Sequence, residues 1–275
     1  MAALTVSNYL GMLQADPHDR SAIEGLAEAL QSGDPQRIGD SPLRLLEMAR
    51  VGHERRSELS AAAALIEVES VLVQDDPDFR AALFKELGRL RHEELLDDAG
   101  AKEAYARSLE LRPGDYEIEE VIEQIDQAAS SWREIADRFI EEAQGASDAT
   151  LKTSLLCRAA SLVWQHKKKG KQKEADQLFQ AAHAADPGNV RAARLYGITL
   201  RAREMWSELG QVLSTAGGES RNRDEKINCW VEAARVFSKN AGDKESAAIC
   251  FQQVLDFAPV HEEALSFLVE FYTER

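Results

Sequence analysis

The chain has 275 residues, of which 44% are hydrophobic and 29% charged, and it carries a formal net charge of −15. No stretch approaches the roughly eighteen apolar residues a membrane-spanning helix needs. The opening MAALTVSNYLGMLQADP lacks the basic and long apolar regions of a secretory signal. The expectation is therefore a cytoplasmic protein without membrane insertion, its three cysteines (Cys157, Cys229 and Cys250) reduced and lacking any CxxC spacing.

Glycine and proline are sparse at 16 and 7, and alanine, leucine, glutamate and arginine favour helix over strand. In chain order, the Asp16-Pro17 corner precedes Ile23, Leu26, Ala27 and Leu30, spaced i, i+3, i+4 and i+7 on one helix face. Residues 41–73 are helical by composition, with Pro42 in a first turn and Ala61–Ala64 as strong helix formers. Phe84, Leu87 and Gly88 mark a first helix and Ala101, Tyr105 and Leu109 its partner, which stops at Pro113-Gly114. The next pair spans Tyr116–Gln144, with Trp132 opening its second helix. Leu155, Leu156, Ala159, Ala160 and Val163 then pair with Ala175, Phe179 and Ala182, ending at Asp186-Pro187-Gly188. Ala193, Tyr196, Gly197 and Leu200 form another i, i+3, i+4, i+7 stripe. A short turn at Ala202–Met205 leads to Trp206, Leu209 and Leu213. Last come Ile227, Trp230, Ala234 and Phe237, a turn with Asp243 as N-cap, and Ala247, Phe251 and Leu255 before Pro259.

One pattern recurs through these elements. Ala101, Tyr105, Leu109 and Pro113 are echoed by Ala175, Phe179, Ala182 and Pro187, and again by Ala247, Phe251, Leu255 and Pro259. The copies start 74 and 72 residues apart, and Trp132 and Trp206 keep the same long period. A fixed period of this kind means stacked supersecondary units.

These residues resemble the tetratricopeptide repeat. The resemblance is carried by Leu87, Gly88, Ala101, Tyr105 and Pro113; by Ala159, Ala160, Ala175, Phe179, Ala182 and Pro187; by Tyr196, Gly197 and Trp206; and by Ala233, Ala234, Ala247, Phe251 and Pro259. It implies an all-α fold, a right-handed α-solenoid of stacked antiparallel helix pairs, in one repeat domain over 1–275. Residues 80–275 match well and 15–79 form degenerate repeats. Excess length over the usual unit of about 34 residues falls in turns such as Gln165–Gln172. The resemblance further implies a non-enzymatic scaffold that takes a peptide segment or partner helix in a concave groove lined by first helices. The alternative is a regulatory or substrate-docking repeat domain of a larger enzyme or signalling protein.

The family's carboxylate-gripping clamp needs lysine and asparagine at the fifth and ninth places of successive first helices. Here those places hold Lys85 and Arg89, Cys157 and Ser161, Arg194 and Ile198, Val231 and Arg235, so the clamp is absent. A cationic row remains, Arg194, Arg201, Arg235 and Lys239, expected to face the groove, with Lys85 and Arg89 as further candidates for partner contact. Arginine grips carboxylates bidentately, so the expected partner carries an acidic segment. Residues 1–150 hold 15 basic and 32 acidic residues, a net −17; residues 151–275 hold 18 and 16, a net +2. Such acidity argues against nucleic acid as a partner.

No catalytic motif is present: GxGxxG, GxxxxGK[ST], HExxH and GxSxG are all missing. The six histidines lack metal-ligand spacing, and His92 beside Glu93 and Glu94 reads as a solvated helix face. The acidic run Asp115, Glu117, Glu119, Glu120, Glu123 and Asp126 has the wrong spacing for a calcium loop. No cofactor or metal is expected. The Lys167–Lys173 turn, KKKGKQK, is the sharpest cationic feature but has no interleaved aromatics. At the end of the chain, Ala264, Phe267, Leu268 and Phe271 form an apolar stripe on a helix without a following partner. The expectation is that the array continues in a longer protein and that this stripe is exposed and able to self-associate.

Overall fold

The computed structural model describes residues 4–167 and 173–273. Every regular element among them is helical. Residues Lys168, Lys169 and Lys171 of the lysine-rich turn lie outside the described residues.

The helices are α1 (Val6–Ala15), α2 (Arg20–Gln31), α3 (Pro35–Ile38), α4 (Pro42–Arg55), α5 (Leu59–Leu72), α6 (Pro77–Glu93), α7 (Asp98–Leu111), α8 (Tyr116–Gly145), α9 (Ala149–His166), α10 (Lys173–Ala185), α11 (Val190–Ala202), α12 (Trp206–Glu219), α13 (Arg223–Arg235), α14 (Lys244–Phe257) and α15 (Glu262–Thr273). A π-helical segment, Val236–Ala241, continues α13. Short polar side chains start many of them: Asp19, Asp76, Asp97, Asp148, Asn189, Asn222 and Asp243 each accept a hydrogen bond from a backbone N–H of the first turn. This satisfies donors that the helix leaves orphaned. Pro113, Pro187 and Pro259 each fall two residues beyond a helix end, at Leu111, Ala185 and Phe257. The expected stops therefore operate, because proline cannot supply the next backbone N–H.

Two compact units divide the chain, Met1–Asp126 and Gln127–Arg275. In the first, Val6 and Leu13 of α1 pack with Leu26 of α2, Leu46 of α4 and Leu65 of α5. A second cluster joins Ile66 of α5 to Leu83, Phe84 and Leu87 of α6 and Ala104 of α7. A third sets Ala101 and Tyr105 of α7 against Ile118 and Ile125 of α8. The degenerate stretch has a firm register after all. The buried stripe of α2 is Ala22, Leu26, Ala29 and Leu30, turned slightly from the expected one, and Ile23 and Ala27 sit at its margin.

In the second unit Ala136 of α8, Ala159 and Val163 of α9 and Ala175 of α10 share a core with Trp132, Phe139 and Leu178 at its edge. Aromatic contacts carry the packing onward: Phe179 to Tyr196, centroids 6.3 Å apart, Trp230 to Phe257 at 5.5 Å and Phe251 to Phe267 at 4.9 Å. Trp132 does open a new helical run, but without a loop: α8 bends at Ser131, whose φ of −126° and ψ of 24° leave the helical region. Gly197 is buried, and a Cβ there would stand 3.0 Å from Cδ1 of Leu209, so α12 approaches α11 closely at this position.

A repeating turn joins first to second helices. Ser57, Leu96, Glu204 and Gly242 have φ of 61°, 55°, 58° and 70°, in the left-handed region. They sit between α4 and α5, α6 and α7, α11 and α12, and α13 and α14. The left-handed residue lets the chain reverse within few residues.

The last helix corrects the sequence-based expectation. Ala264, Leu268 and Phe271 are buried, and the Phe267 ring packs at a tilt against Phe251 of α14. The stripe packs on α14 rather than facing solvent. The exposed apolar side is the next one round: Leu265, Val269 (66% exposed) and Tyr272.

Candidate functional site

Helices α9, α11, α13 and α15 hold the first-helix places of the second unit, and the predicted cations of that unit lie on α11 and α13. Arg201 donates from Nη2 to Oε1 of Glu232 on α13 at 3.0 Å, with its guanidinium 6.0 Å from the centre of the Trp206 ring. Arg235 grips Glu263 of α15 with two parallel bonds, Nε to Oε1 at 2.8 Å and Nη2 to Oε2 at 2.7 Å, and its side chain is 14% exposed. Each of these arginines therefore spans from one first helix to the next. Lys239 lies exposed on the π-helical segment.

Arg194 differs from both. It is half-buried, and its Nε is fully enclosed and donates to no acceptor among the described residues. Its charge reaches the Cys229 thiol of α13, as that of Arg191 reaches Cys157 of α9. Burial nonetheless dominates at both thiols and pushes each up to about 12. Cys250 is raised for the same reason. None of the three forms a disulfide.

The two candidates in the first unit are held by carboxylates. Lys85 of α6 donates to Glu117 Oε2 at 2.7 Å and to Asp115 Oδ2 at 3.0 Å. Those bonds, Glu117 first, raise the lysine, and Lys85 in turn holds the Asp115 carboxyl below its usual range. Arg89 donates to Glu86 at 2.6 and 3.0 Å and to Glu93 at 3.1 Å, all on its own helix. The acidic run is thus partly engaged by cations of its own unit: Asp115 and Glu117 by Lys85, and Asp126 by Lys102.

Sequence reasoning missed a second polar cluster in that unit. Glu69 of α5 is 0% exposed and accepts from Nε of Arg50 on α4 at 2.8 Å. Burial raises the Glu69 carboxyl despite this pairing, whereas Arg50 is raised by its bonds to Glu54 and Glu69 against a burial cost. The two directions agree once exposure is considered: the carboxylate is wholly enclosed, while the guanidinium keeps some water. At the end of α4, buried His53 contacts Glu58 through Nδ1 at 2.7 Å, and Arg56 donates to the same carboxylate at 2.8 Å. The alternation of glutamate within an alanine- and valine-rich helix was the one available signal. Among the described residues no group of three or more His, Cys, Asp or Glu side chains could hold a metal ion, and no helix is long and apolar enough to cross a membrane.

No family model matches the chain, and no curated protein matches it. Among solved structures it is similar to the C-terminal part of a TPR repeat-containing protein from Cytophaga hutchinsonii. The two share 14% identity over 95% of this chain and 98% of that chain, with a TM-score of 0.28. The all-α assignment rests on the chain's own helices and their packing.

Proposed function

We propose that this chain is a non-enzymatic protein-interaction scaffold whose α9, α11 and α13 face receives an extended acidic segment of a partner protein. One observation carries the reading: Arg194, Arg201 and Arg235 fall on successive first helices of one unit, and two of them reach across to the next first helix. Arginines on such a face attract carboxylates at long range and orient them at short range, an effect offset at Arg201 and Arg235 by Glu232 and Glu263. Thiols held near 12 stay protonated at neutral pH and make poor nucleophiles.

Affinity capture from the native lysate supplies the segment, and surface plasmon resonance then tests the electrostatics. Association should slow several-fold between low and high salt, and several-fold in the variant Arg194→Glu with Lys239→Glu, with helicity unchanged. An association rate indifferent to both salt and the charge reversals would remove the acidic-segment reading.

A further inference from the structure

The acidic-segment reading, on which this inference rests, leaves open which cation takes the incoming carboxylate. We infer that Arg194 is the receiving residue of the α9, α11 and α13 face, while Arg201 and Arg235 hold neighbouring helices together. The difference lies in what each guanidinium already has. Arg235 is closed by the paired bonds to Glu263, at 2.8 and 2.7 Å. A ligand carboxylate arriving there would exchange one matched fork for another and leave Glu263 beside it uncompensated. Breaking a largely enclosed pair costs more than forming its replacement returns. Arg201 is engaged likewise by Glu232 at 3.0 Å and lies over Trp206.

Arg194 has no such partner. Its Nε is enclosed and has no acceptor among the described residues. An enclosed charged donor without an acceptor carries its desolvation penalty in the free protein. A carboxylate that meets the terminal nitrogens of the guanidinium, which are not enclosed as Nε is, gains a charge-assisted bond and displaces no internal acid. Position supports the assignment. Arg194, Ile198 and Arg201 follow one another at i, i+4 and i+7 along α11, so Arg194 lies on the same stripe as the arginine that bridges to α13. Ile198, part-exposed between them, offers an apolar step. The ligand class is therefore a peptide with a central Asp or Glu side chain next to an apolar residue.

The test uses the full chain and a fluorescein-labelled, end-blocked peptide alternating Glu with Leu and Ala, beside the same peptide with Gln for every Glu. Anisotropy should show that Arg194→Gln weakens binding of the Glu peptide by about tenfold and that Arg194→Lys restores part of the loss. Arg201→Gln with Arg235→Gln should keep affinity within about threefold and lower the melting temperature instead. Arg194→Gln without effect on a Glu peptide that the native chain does bind overturns this assignment alone. A native chain that binds the Glu and Gln peptides alike overturns the acidic-segment reading and this inference with it. An oligonucleotide of matched charge that competes as well as the peptide overturns the carboxylate as the recognised group.

Discussion

Glycines against aromatic rings show most directly how single residues set this packing. A Cβ at Gly88 would stand 2.5 Å from the Tyr105 ring, and one at Gly210 would stand 2.5 Å from Phe237. Both rings are buried, so neither has room to move away. Gly88→Ala gains helix propensity of up to about 1 kcal/mol but overpacks the interface at about 1–3 kcal/mol. The net effect should be a lower melting temperature. Gly11 meets nothing within 4 Å, so Gly11→Ala should stabilise by about 0.5–1 kcal/mol. Thermal unfolding of the two variants checks the opposite signs. Leu87-Gly88 and Tyr105 marked this helix pair in the sequence, but the close approach at Gly88, like that at Gly210, became visible only through the neighbouring ring.

Glu174 offers a second test at this scale. Its carboxyl sits below its ordinary value of 4.5, first because of Lys167, which donates at 2.6 Å, and then because of Arg133 at 2.8 Å. As pH falls, the unfolded chain takes up this proton before the folded one. The stabilisation is therefore complete above about pH 4.5 and declines as pH falls through the lower folded value. Glu174→Gln should lose stability at neutral pH and show a shallower acid limb. An acid limb identical to that of the native chain would mean that the two cations do not engage Glu174 in solution.

At the scale of elements, α15 separates what periodicity says from what packing decides. Its apolar residues cover more than one face, and period alone does not tell which face meets a neighbour. Contact with α14 selects Ala264, Leu268 and Phe271. Leu268, 8% exposed, should cost about 2–5 kcal/mol on truncation to alanine. Val269→Ala should change stability by less than about 0.5 kcal/mol. Chemical denaturation of both variants checks the ranking, and a Leu268→Ala cost as small as that of Val269→Ala would mean that the stripe faces solvent, as expected from sequence. The first-to-second helix turns give a related lesson. Ser57 and Leu96 are 39 residues apart, and Glu204 and Gly242 are 38 apart, so the left-handed residue recurs with the helix pair. Only one of the four is glycine, which hid the repeat from a search for turn glycines. Glu204→Gly should be neutral or stabilising by up to about 1 kcal/mol, since it relieves the left-handed cost at the turn.

For the whole molecule, charge and hydrophobic period lead to different conclusions. Counted over the two compact units, residues 1–126 carry −14 and residues 127–275 carry −1. An excess of like charge destabilises a compact unit, and salt screens it. The melting temperature should rise as sodium chloride increases from about 10 mM to about 150 mM; a fall would mean that the ion pairs outweigh the repulsion. The sequence by itself determined the helical class, the repeat, the proline stops and the places of the cations, because these follow from local spacing and from backbone chemistry that needs no distant partner. Tertiary structure alone decided which arginines are engaged. Glu232 and Glu263 lie 31 and 28 residues from Arg201 and Arg235, and only the stacking of one first helix on the next brings them into reach. The same stacking leaves Nε of Arg194 enclosed without an acceptor among the described residues, a state that no spacing rule encodes.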